Sequence, residues 1–187
     1  MDEFSYLSVL LSVILGLAIT QILQGFRGLV LARAQVRLYW PVVAWAVLWL
    51  LACIQSWWAM FGMRVRHGWT FAEFAVVLLQ TVLTYMVAGL IFPDLFGTES
   101  IDLRASFYAH RRWFFLLALG VIVTSVAKDV VLAGTLPSAA NLGFHVVFGA
   151  LLLIGAVTSS ERLHKTLPIV SMALLIAYIL ALFERIR

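Results

Sequence analysis

Charge is scarce in this chain. Asp, Glu, Lys and Arg make up 12% of its 187 residues against 64% hydrophobic residues, and the mean hydropathy is +1.04. A soluble domain of this size needs a far more polar surface. No polar stretch is long enough to fold separately, so one membrane domain over residues 1–187 is expected. Cysteine is nearly missing: Cys53 stands alone inside an apolar run, which excludes an internal disulfide and leaves the redox compartment unread. Recognisable catalytic signatures are missing too. There is no Gly-x-Ser-x-Gly, no His-Glu-x-x-His and no phosphate-cradling glycine loop. No carboxylate pair shares a face within an apolar run, which argues against an aspartyl intramembrane protease, and no helix is rich enough in arginine to sense voltage. Among the four histidines only His145 lies well inside a run, whereas His67, His110 and His164 stand beside arginines in expected loops. A bis-histidine haem is therefore not expected. The reading is of a non-enzyme without cofactor or metal.

What the chain has instead is long uncharged runs: 4–26, 38–63, 74–93, 130–160 and 166–183 carry no charged residue. Hydrocarbon about 30 Å thick takes about 20 helical residues to cross. The runs and their punctuation give an all-α polytopic bundle of six transmembrane helices, at about 4–27, 40–62, 71–93, 112–135, 138–158 and 166–184. Pro41 and Pro168 are placed in first turns, where a missing N–H costs nothing. Pro93 with Gly97 ends the third span, and Gly134 with Pro137 turns the fourth into the fifth. Trp40 and the pair Trp57 and Trp58 are about 17 residues, or roughly 26 Å, apart, an aromatic anchor for each interface. Residues 101–108 mix apolar and charged side chains, either as a short interfacial helix or as an extension of span four. The start Met1-Asp2-Glu3 has no basic region, so the first run is expected to be a true span and not a cleaved signal.

The net charge of +4 and pI near 9.6 do not point to nucleic acid, because the basic residues sit between spans. Eight of them (Arg27, Arg33, Arg37, Arg104, Arg111, Arg112, Arg162 and Lys165) fall on one side. Arg64, Arg66, Arg185 and Arg187, with Lys128 if it snorkels, fall on the other. The positive-inside rule then places both termini outside the cytoplasm of a plasma (inner) membrane. Gly16-x-x-x-Thr20 in span one and Gly120-x-x-x-Thr124 in span four lie at matching depth, which invites a 3+3 inverted repeat.

Polar groups inside hydrocarbon need partners, so their placement is the functional signal. In span one, Ser5, Ser8, Ser12, Gly16, Thr20 and Gln24 recur at spacings of three and four and form one stripe, expected to face inward. Spans four and five are a hairpin, so Lys128 and Asp129 come level with His145 about 10 Å below the turn. Asn141, Gln55, Gln80, Thr84 and Ser12 fall near the same level. Trp45 and Trp49, one turn apart, are expected to be a lipid-facing or packing stripe and not a ligand cage. Intramembrane ionisable residues default to functional sites. The sequence therefore supports a small channel or transporter for an ion, proton or small polar solute, with Lys128 and Asp129 as charge partners and His145 as a titratable gate. A homo-oligomer is expected, since six helices enclose little volume. The rival reading is an accessory or sensor subunit that docks a membrane-protein partner without transport of its own.

Overall fold

The computed structural model describes residues 3–94 and 100–182. Six helices among them are long and apolar enough to cross a membrane, and the chain is an all-α, multi-pass membrane bundle. The helices are α1 (Glu3–Leu31), α2 (Trp40–Met60), α3 (Phe71–Ile91), α4 (Leu103–Ala133), α5 (Ala139–Val157) and α6 (Glu161–Leu182). A 3-10 turn, Phe61–Val65, continues α2, and two short strands, β1 (Val36–Arg37) and β2 (Ile101–Asp102), lie between helices. In space the helices follow the order α1, α3, α4, α5, α6, α2, closing back on α1. The two halves pack differently, for α1 runs along α3 whereas α4 and α6 meet mainly through side chains at one end.

Local chemistry explains the ends. Pro41 occupies the first turn of α2. Thr70 and Glu73 form a reciprocal capping box on α3. Gly134 closes α4 with φ of 69°, a left-handed cap that a Cβ would strain, and its N–H donates to the Val130 carbonyl at 2.9 Å. Ser138 then caps α5 by accepting from Asn141 N at 3.3 Å. The expected roles of Gly97, Arg185 and Arg187 lie outside the described residues.

Three expectations are corrected, and one open alternative is decided. Of the two readings of residues 101–108 the extension holds, for residues 103–111 are the first turns of one continuous α4. Pro168 is buried inside α6 instead of opening it. The helix starts earlier because Glu161 pairs with Lys165 at 3.0 Å and Arg104 at 2.8 Å, giving a polar first turn. His164 is fully buried, not interfacial. Its Nε2 lies 3.1 Å from the Thr158 carbonyl, and Phe107, Tyr108 and Phe115 surround the ring.

The third correction concerns α1. Ser12, Gly16, Thr20 and Gln24 face outward, and the buried ridge is Leu11, Leu15, Ala18, Ile22, Gly25 and Gly28. Shape complementarity decides this in a bilayer, where water does not drive helices together. Gly25 lies so close to Phe92 that an added Cβ would stand 2.0 Å from the ring. The hydroxyls need no interior partner, because Ser8 donates to the Ser5 carbonyl at 3.1 Å and Thr20 to the Gly16 carbonyl at 2.8 Å.

At the end opposite the termini, β1 and β2 pair in parallel, Val36 with Ile101 and Arg37 with Asp102. Asp102 also caps α4, accepting from the amides of Arg104 at 2.9 Å and Ala105 at 3.0 Å, and lies 3.5 Å from Arg37. The Ala105 amide above all, then those of Arg104 and the two guanidiniums, holds its carboxyl below the ordinary 3.8. A depressed carboxylate stabilises the folded state above its unfolded pKa, and that contribution is lost as pH falls through the folded value. Asn caps as well as Asp. The stability gap between the parent protein and Asp102→Asn is therefore expected at neutral pH and should narrow below about 3.8 in detergent melts across pH. A gap that ignores pH would contradict it.

Beyond this pin, aromatic rings fill the bundle. Trp45 meets Phe114 and Phe115 edge-on at 5.5 and 5.4 Å. Trp49 is buried beside them and donates from Nε1 to the Thr84 carbonyl at 3.0 Å. Both tryptophans are thus interior packing residues.

Candidate functional site

Toward the end that carries the N-terminus the packing opens. A cavity of about 240 Å³ lies among all six helices. Helix α2 supplies Gln55 and Ser56, α3 supplies Gln80, Thr81 and Thr84, α4 supplies Ser125, Lys128 and Asp129, α5 supplies Asn141 and α6 supplies Tyr178. The contribution of α1 is apolar, Leu15. Deeper in the bundle this chamber adjoins a more apolar one of about 100 Å³, which shares Gln55, Gln80, Ser125 and Tyr178 and reaches Trp45, His145 and Ser171.

Lys128, Asp129, Asn141, Gln55, Gln80 and Thr84 therefore share one wall-to-wall space. His145 sits one layer deeper. Ser12 is on the outer surface of α1, together with Gly16, Thr20 and Gln24, and Ser5 and Ser8 are half-buried near its start. Tyr178 escaped the sequence reading, although a lone tyrosine near the end of span six was the available signal. Ser56, Thr81 and Ser125 were visible as polar residues, but only the rotation of their helices brings them to the cavity.

The polar wall is partly wired. Tyr178 donates from its hydroxyl to Asn141 Oδ1 at 3.2 Å, and Asn141 Nδ2 donates to Asp129 Oδ2 at 3.3 Å. His145 Nδ1 lies 2.8 Å from the Asn141 carbonyl, an obligate acceptor. In the neutral ring that leaves Nε2 to accept from the Ser125 hydroxyl, 3.0 Å away. Thr81 and Thr84 donate to the carbonyls of Val77 and Gln80, both at 2.9 Å. In contrast, the Lys128 ammonium has no hydrogen bond and no carboxylate within ion-pair distance among the described residues.

The segment between α2 and α3 roofs the chamber, with Met60 and Met63 in its wall. Three ties hold the roof. Arg66 pairs with Glu73 and donates to the Leu132 carbonyl at 2.6 Å. Glu3 Oε2 accepts from the amides of Gly68 at 2.8 Å and Trp69 at 3.3 Å. Trp69 stacks on Phe4 with centroids 6.3 Å apart. All of these contacts come from the first turn of α1, the last turn of α4 or the start of α3, so the roof bridges three helices.

Comparison with protein-family models, curated proteins and solved structures finds no match to this chain.

Proposed function

We propose that the protein moves a small polar solute across the membrane, with the chamber around Lys128 and Asp129 as its binding site. The carrying observation is a polar cavity at membrane depth that holds a cation without a hydrogen-bond partner among the described residues. Such groups are costly in lipid and mark solute pathways. Solid aromatic packing on one side and a tied roof on the other favour an occluded carrier over an open pore. Lys128 and Asp129 make the solute contacts. His145 orients Ser125 and Asn141 and is a positioning group rather than the gate expected from sequence. With eight basic residues at the opposite end, the roof faces away from the cytoplasm.

In proteoliposomes tested with a panel of ions and small solutes, Lys128→Ala and Asp129→Ala should each lower flux by about tenfold or more, the loss of one charge-assisted contact. His145→Ala should have a smaller effect. Parent protein without flux, or three variants that match it, would end the transport reading.

A second reading, an accessory subunit or homo-oligomer, draws on the outer face of α1. A Cβ at Gly16 would meet nothing within 4 Å, and Ser12, Thr20 and Gln24 lie exposed along the same helix. Small and polar residues in lipid suit a close helix–helix contact. Gly16→Leu is expected to dissociate such a complex, as read by native mass in detergent, while leaving the chamber intact.

A further inference from the structure

The charges in the chamber point to a kind of solute, and this step rests on the reading of the chamber as a binding site. From the geometry we infer that it takes a small zwitterion, a molecule that carries an ammonium and a carboxylate a few carbons apart.

Three observations carry the inference. First, Lys128 and Asp129 both line the chamber but do not pair with each other. Consecutive helical residues project about 100° apart, so their heads address different parts of one space. Second, each has unused capacity. Among the described residues Lys128 has no acceptor, and Asp129 engages one carboxylate oxygen with Asn141 while the other receives no hydrogen bond. Third, Gln55, Ser56 and Gln80 bring side chains to the wall that make no hydrogen bond among the described residues. They are free to donate to a carboxylate or accept from an ammonium.

A bare anion would satisfy Lys128 and be repelled by Asp129, and a bare cation would meet the reverse. A zwitterion satisfies both at once and brings no net charge into the low-dielectric interior, where an unpaired ion is most costly. Size agrees. The cavity of about 240 Å³ equals the bulk volume of roughly eight waters and falls below the range of about 300–1,000 Å³ of drug-sized sites. An aminocarboxylate of two to four carbons fits it.

The test is equilibrium binding of radiolabelled glycine, β-alanine and 4-aminobutyrate to the full chain in lipid nanodiscs, with unlabelled acetate and methylammonium as competitors. At least one of the three should bind, and neither single-charge competitor should displace it at tenfold excess. Lys128→Met and Asp129→Asn should each weaken binding by about tenfold or more, whereas Ser12→Ala on the outer face should not. The inference falls if none of the three binds the parent protein. It also falls if acetate or methylammonium competes as well as the zwitterion, a result that does not depend on how any variant folds. Zwitterion binding without flux would sink the transport reading and keep this one. Flux of another solute without zwitterion binding would do the opposite.

Discussion

Alanine at Trp45 is expected to cost the folded bundle about 3 kcal/mol, the low end of the range for removing a buried aromatic. The low end applies because the removed ring would otherwise face lipid, not water, so the transfer term shrinks. What remains is the void and the loss of two edge-on ring contacts, to Phe114 at 5.5 Å and Phe115 at 5.4 Å, each worth about 0.5–1.5 kcal/mol. Trp45 is 2% exposed, and it lines both the deeper apolar chamber and a small pocket on the far side of the aromatic layer. Its removal should therefore join the two and let solutes leak. Unfolding in mixed micelles would measure the first effect and dye release from proteoliposomes the second. Trp45→Phe should be milder in both. A variant as stable and as tight as the parent would show that the aromatic layer is not the barrier.

The second large effect is expected at Gly155. A Cβ there would stand 2.6 Å from two ring carbons of Phe115. Phe115 is fully buried, held by Trp45, Phe107, Phe114 and His164, and cannot yield. Gly155→Ala should therefore destabilise by about 1–3 kcal/mol through overpacking, although alanine is the better helix former. At Gly143, where a Cβ would meet nothing within 4 Å, the same substitution should be neutral or slightly stabilising. Coupling distinguishes steric conflict from any other cause. In a Phe115→Leu background the cost of Gly155→Ala should fall to a few tenths of a kcal/mol. Equal cost in both backgrounds would rule out the ring as the obstacle.

Span positions were legible in the sequence because hydrocarbon thickness imposes a length, and the apolar runs with their punctuation divide into six spans that meet it. The polar layer was legible for a related reason. With the turn at Gly134 located, a rise of 1.5 Å per residue brings Lys128, Asp129 and Asn141 to one depth without knowing how any helix is rotated, although His145 lies one layer deeper, level with Ser125 instead of Asp129. Rotation was the missing quantity. The stripe on α1 looked interior because polar residues in soluble helices mark a functional or solvated face. In lipid that rule weakens, since Thr20 satisfies itself on the Gly16 carbonyl and either face can meet lipid. Helix ends beyond the hydrocarbon were also hidden. The early start of α6 depends on Glu161 meeting Arg104, a residue 57 positions away, and no local pattern announces it.

The short hairpin between α4 and α5 bears on how the chain is made. Only residues 134–138 separate the two helices. Lys128 and Asp129 give α4 the least favourable passage from the translocon, since a charged residue at mid-helix costs about 2.5–3.5 kcal/mol on insertion scales and less near a helix end. The side-chain partner of Asp129 comes with Asn141 on α5, 12 residues further along the chain. Helices α4 and α5 are thus suited to enter the bilayer as a pair, so that one wall of the chamber is in place before α6 brings Tyr178 against it.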